Sequence, residues 1–540
     1  MVKALIKRTK DLFSRRDNKD CGNEEEKVEE SRDPPKCLTD DDGGVAPIII
    51  VGAGIVGLVL ALALDKHCGV KAELYEQATA FHDDVGAGMG MYPNGLRVIR
   101  DISPQLLKEI QDAGYPYLLR RYERHDGTEV ATADETKLVG PEGQAEEDAD
   151  DLQPIGLRRW KLQKILYQAV VDAGMQVHFN KRLESLEQKR AHHNGRVRLQ
   201  FTDGTVRTTS LLLAADGSKS RVRTLISGGK YRLTHTGTTC LMGTATVARQ
   251  ERGLCLPSSE TTRCHGAFYP TGEHEQCFQF HFPTSLQAAI KEGSIDPIDF
   301  SWGGRTHAVE QEECNKLADQ LVLDGWDEKF IQPLRHVDKA LKIGFSTLEP
   351  HLDSFVFGRV ALVGDSAHPP VPYLGQGAQQ GLEDAGTLAL LLQHFCKKRM
   401  VPASDSSKLS DGDFSLEHVA SALTLYNRLR QPRTAEILNR GKQWGQQQQK
   451  RAENPKYNKM REETIRREIF YHEALPILLP AVRHDYKDDV RSAIQEAEVK
   501  NQQQSKEAGS RGQPVTHQKG SGDNADHSHL LPVPEETTCY

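Results

Sequence analysis

No two of the ten cysteines in this chain stand in a Cys-x-x-Cys pair, although they run from Cys21 to Cys539. That absence argues against a zinc site or a disulfide framework, and scattered thiols suit a reducing, intracellular compartment, most simply the cytoplasm. No metal is expected. A strong excess of one charge is missing too: the formal net charge is -7 over 540 residues. A dominant electrostatic partnership with nucleic acid is therefore not expected. The first residues lack the unbroken apolar core of a secretory signal, since Lys3, Lys7, Arg8, Lys10 and Asp11 interrupt it. Val2, Leu5, Ile6, Leu12 and Phe13 leave open a weak membrane-surface association or an organelle-targeting element, beside the plainer reading of a solvated tail. Long apolar runs are scarce. A hydropathy scan would flag Ala46 to Leu64, but its glycines have the spacing of a phosphate-binding turn. A buried parallel strand followed by a buried helix is just as apolar, so no membrane span is expected there.

The organisation follows from shifts in texture. Residues 1–46 are charged and poor in large apolar side chains, and read as a disordered tail. Residues 47–228 and 341–402 read as two parts of one nucleotide-binding unit, with an acidic surface loop from Glu142 to Asp151. Between them, 229–340 carries short runs of aromatic and β-branched residues such as Cys277 to Phe282, which suggest a β-rich insertion. In 403–498, Leu423, Tyr426 and Leu429 recur at helical spacing. Residues 499–540, rich in Gln, Ser, Gly and His, read as a flexible tail.

Chemistry enters with Ile48 to Val51, a β-branched run that leads directly into Gly52-Ala53-Gly54-Ile55-Val56-Gly57 and a helical stretch. Gly52 permits the tight turn, Gly54 lets backbone approach a pyrophosphate, and Gly57 lets helix pack closely on strand. A second strand, Ala72 to Tyr75, ends in Glu76, whose carboxylate suits ribose hydroxyls. These features fit a dinucleotide and leave NAD and FAD both open.

Two later segments bear on that choice: Leu211 to Arg223, centred on Asp216-Gly217, and Gly358 to His368, which leads through Pro372 to Gly375-Gln376-Gly377-Ala378 and a helical run to Cys396. Together they resemble the FAD-binding monooxygenase family that includes salicylate and para-hydroxybenzoate hydroxylases. The resemblance implies an α/β fold, with a Rossmann-like FAD-binding domain, an inserted β-sheet-rich substrate domain and C-terminal helices. It implies that Asp216 serves FAD and nicotinamide binding, and that Asp365 holds the ribityl hydroxyls. It further implies that Gly375, Gly377 and Ala378 approach the isoalloxazine, where the following helix start favours negative charge on the reduced flavin. Gly86 to Gly90 with Pro93-Asn94 resemble the segment passing over the flavin, with Gly90 as its backbone contact. Arg159 matches an arginine before a leucine-rich helix, although Lys161 stands where the family has an acidic residue. Leu241-Met242-Gly243 replaces a Trp-Arg-Gly segment, so an arginine anchor for an acidic substrate is not expected at that point. Tyr426, Arg430, Pro432 and Arg433 echo the closing helix.

The implied reaction uses NADH or NADPH as a transient donor and O2, with oxygen added at flavin C4a and passed to a small organic, aromatic substrate. Epoxidation of an alkene and another FAD oxidoreduction stay open, as does a non-catalytic flavin-binding interaction protein. A hydrolase reading of Gly364-Asp365-Ser366-Ala367-His368 is weak, because the last position is histidine where a nucleophile elbow needs glycine. His368 reads as a loop-packing residue. Tyr269, Phe278, Phe280, His281 and Phe282 read either as an aromatic pocket or, more simply, as core. Catalytic side chains and oligomeric state stay open.

Overall fold

The structure, a computed structural model, describes residues 47–83, 87–134, 152–188, 196–247, 253–259, 264–283, 307–397, 416–450, 459, 462–463, 465 and 484–510. The expected N-terminal tail, the acidic loop from Glu142 to Asp151 and the segment Leu475 to Val482 lie outside these residues. So does the chain beyond 510. Among the described residues no helix is long and apolar enough to cross a membrane.

Ile48–Val51 forms a fully buried strand with Leu211–Ala214 on one side and Glu73–Tyr75 on the other, both parallel. Val360–Leu362 extends the sheet beyond Leu211–Ala214, and Val177–His178 extends it beyond Glu73–Tyr75. Strands buried on both faces have no solvent side, which is why Ile-Ile-Ile-Val and Leu-Leu-Leu-Ala carry no polar alternation. The helix Ile55–Cys68 covers this sheet and ends at Gly69 in the left-handed region. Against it lies the helix Gly377–Lys397, so close that a Cβ on Gly381 would stand 2.4 Å from Val56 Cγ2.

A second sheet of eight strands runs in the order His307–Val309, Val337–Glu349, Arg232–Thr246, Glu275–Pro283, His265–Gly272, Gly253–Ser258, Leu119–Arg124 and Glu129–Asp134. Its last two strands come from the first nucleotide-binding stretch of the sequence reading, and join through a parallel pairing of Leu119–Arg124 with Gly253–Ser258. The strand Glu275–Pro283 alternates. Phe278 and Phe280 enter a core with Trp326 and Phe330, beneath the helices Gln311–Leu323 and Glu328–Arg335, with Phe282 packed against it. Gln279 and His281 face a cavity on the other side.

Two long helices, Leu416–Lys450 and Tyr486–Ser510, fill the C-terminal part. The flexible tail expected from 499 therefore starts as helix. Its Glu, Lys, Gln and Ala residues are good helix formers, and length joins an anchored first turn to the weaker end. Tyr486 anchors that turn: it lies over Gly386, and its hydroxyl donates to Asp101 at 3.0 Å.

Candidate functional site

The glycine turn is shaped by contact. Gly52 has φ +98°, donates its N–H to Tyr75 O at 2.8 Å, and would place a Cβ 2.3 Å from Ala215 O. A Cβ on Gly57 would stand 2.0 Å from Gly52 O, so the two glycines let turn, helix and neighbouring loop meet. Gly54 instead faces open space, lines the cavity and precedes a helix with no side-chain cap. Glu76 sits behind the turn and accepts from Ala53 N at 2.8 Å and Ala78 N at 2.9 Å. It braces the turn without lining the cavity itself, while each oxygen keeps a further lone pair.

On the facing side, the loop after Val360–Leu362 turns at Gly364, φ +64°, and brings Asp365 to the cavity wall. Burial raises the Asp365 pKa, against the pull of His368, Arg159 and Arg223. Arg159 lines the same wall. Burial lowers its pKa against the attraction of Asp365 and Glu76, and its guanidinium makes no hydrogen bond or ion pair among the described residues. Asp216 stays off the cavity, which Ala215 and Gly217 line. One Asp216 oxygen accepts from Val222 N at 3.0 Å, and Oδ1, buried, has no partner among the described residues. Ser366 is fully buried, with its hydroxyl on Ala214 O at 2.6 Å, so no nucleophile stands at this turn.

Gly375 (φ +63°) and Gly90 face each other across tyrosines: added Cβ atoms would meet Tyr92 at 2.8 Å and Tyr117 at 2.7 Å. The Gln379 amide donates to Gly90 O at 2.8 Å and Gly375 O at 3.3 Å, which joins the two loops. Gly377 and Ala378, at the start of the helix Gly377–Lys397, also line the cavity. Of the residues singled out from sequence, Gly54, Gly90, Arg159, Asp365, Gly375, Gly377 and Ala378 thus share one cavity. Gly52, Gly57, Glu76 and Asp216 support its edge.

Behind these loops lies a buried charge network that the sequence reading named only through Arg430 and Arg433. Arg430, fully buried, donates to Glu383 at 2.6 Å and to Asp384 at 2.7 Å, and Arg433 adds two bonds to Glu383 at 2.7 and 2.8 Å. Asp384 also accepts from Gly364 N at 2.8 Å and pairs with His368 at 2.6 Å. His368 therefore packs the loop, as read. Burial opposes charge on Glu383, but Arg433 and Arg430 together outweigh it and hold the carboxyl below its ordinary range.

The cavity, about 490 Å³, continues from these loops to the eight-stranded sheet. There His281 Nδ1 meets His265 Nε2 at 3.1 Å, and His281 Nε2 meets Gln279 Oε1 at 3.2 Å. The Gln279 amide also donates to Tyr269 at 3.3 Å, which assigns Oε1 to His281 and makes His281 Nε2 the donor. Burial pushes the His281 pKa down to about 3. Tyr373 stacks on His265, with ring centroids 5.6 Å apart. Met242, Leu254 and Leu256 form an apolar wall. Sequence reasoning missed Arg120, a buried cation on this cavity that donates to the Tyr92 hydroxyl at 3.1 Å. Leu-Arg-Arg-Tyr-Glu-Arg carries no motif, and its parallel pairing with Gly253–Ser258 is not local in sequence.

The family described as "FAD binding domain" matches residues 45–403. The chain is 26% identical over 426 residues to "FAD-dependent monooxygenase SAT7" of Stachybotrys chartarum, covering 75% of this chain and 84% of that one. It is 26% identical over 406 residues to a salicylate hydroxylase of Pseudomonas putida, covering 72% and 82%. Among solved structures, Klebsiella pneumoniae HpxO complexed with FAD and uric acid aligns with a TM-score of 0.61 at 20% identity, covering 80% of this chain and 95% of that one.

Proposed function

The chain belongs to the FAD-binding-domain family and is an FAD-dependent monooxygenase, and from that premise we propose that it uses NADH or NADPH to insert one oxygen atom from O2 into a small aromatic substrate. The observation that carries this reading is the single cavity, walled on one side by glycine-turn and loop backbone and on the other by Tyr269, His281 and Met242. The donor set fits FAD. The Arg159 guanidinium, unpaired among the described residues, and the amides after Gly54, which have no side-chain cap, suit a diphosphate, and the Asp365 carboxylate suits polyol hydroxyls. Asp216, with one buried oxygen unpartnered, would accept a further donor at the loop edge.

FAD, when bound, supplies electron transfer from the nicotinamide and activation of oxygen. The chain's part is to hold and shield. Gly90 and Gly375, tied by Gln379, would place backbone against the ring edge, and the amides at Gly377 and Ala378 would favour negative charge there. Gln279 and His281 would orient a substrate hydroxyl, and the apolar wall would exclude water. The same wall would admit an alkene, for which epoxidation is the alternative outcome. In this reading 47–228 without the strands from 119 to 134, together with 350–402, form the FAD unit, and 229–349 joined by those strands faces substrate, so the boundary expected at 341 moves past the strand Val337–Glu349.

The test is an absorbance spectrum of the purified protein, then stopped-flow reduction by NADH and NADPH and reoxidation in air, with and without phenols. Flavin bands, substrate-accelerated reduction and an oxygenated product are expected. Bound flavin that no nicotinamide reduces would overturn the proposal in favour of a non-catalytic flavin protein.

A further inference from the structure

The family match ends at residue 403, yet two cavity-lining residues, Trp444 and Ile465, come from beyond it. Trp444 stands on the second half of the helix Leu416–Lys450, with its ring edge-on to Tyr122 at a centroid separation of 6.5 Å. This helix half is seated on the flavin-side loop: a Cβ on Gly445 would stand 2.3 Å from the Tyr373 ring, and Gly441 lies over Val371 and Leu374. Ile465, only 4% exposed, is reached through Glu462, which accepts two bonds from Arg124 at 2.7 and 2.8 Å. Arg124 ends the strand that carries Arg120 and Tyr122 into the cavity. A bidentate pair fixes direction as well as distance, and it holds Glu462, three positions before Ile465, to this strand.

Deepening the monooxygenase reading, on which it rests, we propose that Trp444 and Ile465 are specificity-determining residues, held in place by the Arg124–Glu462 pair, that select substrates carrying an extended apolar tail beyond the reacting ring. With Leu254, Leu256 and Tyr122 they make a wall that offers a tail apolar and aromatic contact. Arg124 and Glu462 act through Ile465 and are positioning residues.

The experiment titrates the FAD-loaded enzyme with 4-alkylphenols from cresol to nonylphenol. Binding is read by perturbation of the flavin absorbance, and turnover by oxidation of NADH or NADPH. In the parent protein affinity rises about 4-fold per methylene until the wall is filled, the scale set by burial of one CH2. Trp444→Ala lowers the ratio of long-tail to short-tail affinity about 10-fold, and Trp444→Phe keeps most of it. Arg124→Glu and Glu462→Arg each lower the same ratio, and the double reversal restores it, which a general loss of folding would not do. A parent whose affinity ignores tail length, or variants that keep the parent's ratio, would overturn the proposal while leaving the oxygenation chemistry intact. Tail-dependent binding without turnover of any phenol by either NADH or NADPH would instead remove the aromatic hydroxylation reading and support the wall.

Discussion

Behind the loop at Gly364, the carboxylates of Glu383 and Asp384 meet Arg430, Arg433 and His368 at 2.6–2.7 Å, whereas across the cavity His265, His281 and Gln279 form a hydrogen-bonded chain without a carboxylate or guanidinium. The first cluster directs its charges at one another and at the backbone of its own loops. Its binding capacity is spent inside the protein, and what it provides is a fixed position for Gly364 and so for Asp365. The second cluster, with Tyr269 and Tyr373, faces the cavity through atoms that can still exchange partners. Arg159 and Asp365 also face the cavity and are not ion-paired to each other. The polar groups behind the loop are held by ion pairs and those on the sheet by neutral hydrogen bonds, while the Arg159 guanidinium on the cavity makes neither among the described residues.

That contrast breaks most readily at Arg430. Arg430→Met removes the guanidinium that bridges two buried carboxylates, leaving Arg433 on Glu383 and His368 on Asp384, and is expected to cost about 3 kcal/mol, read as a shift of the urea midpoint, with FAD lost as a consequence. If the midpoint holds, the network is not a stabilising unit. Asp365→Ala should behave in the opposite way. Burial raises this carboxyl's pKa, so its removal relieves the apoprotein of a buried polar group, while FAD affinity falls by about 1.5–3 kcal/mol, on the order of 10–100-fold. Normal flavin content and normal reduction kinetics in that variant would remove Asp365 from the flavin site.

His281 sharpens the comparison through pH. Its pKa is pushed from 6.5 down to about 3 by burial, so the folded state keeps the ring neutral while the unfolded chain takes up a proton below about 6.5. The stability this ring allows is complete above about pH 6.5 and is lost as pH falls toward 3. His281→Gln should flatten the acid side of the stability profile by about 1–2 kcal/mol near pH 5, measured by chemical denaturation between about pH 7 and 5. An unchanged slope would mean that the ring is already charged in the fold. The smallest expected effect is Arg159→Ala, with FAD affinity lowered about 10-fold and no change in the denaturation midpoint.

Much of this arrangement was legible because local chemistry forces it. Gly52, Gly57 and Gly364 stand where a side chain would collide or strain the turn, and such positions announce themselves as glycines. The alternating strand Glu275–Pro283 showed its aromatics, but which face met the cavity depended on the helices over Phe278 and Phe280. Arg120 stands in a run of charged residues with no motif around it, and its burial depends on a strand more than a hundred residues away. Glu383 and Asp384 left a signal that went unread: two adjacent acids inside an otherwise apolar helical run, which is tolerable only when cations from elsewhere reach them.

The placement of Val360–Leu362 beside Leu211–Ala214 also sets a timetable. When Leu211–Ala214 leaves the ribosome, its outer edge has no neighbour until about 150 more residues are made, roughly 7–30 s at about 5–20 residues per second. For that interval a buried, fully apolar strand is an open template for wrong pairing. The inserted sheet is synthesised during this same delay. The nascent chain should therefore depend on holding chaperones until residue 362 emerges, and nascent chains stalled before and after that point should differ sharply in protease resistance.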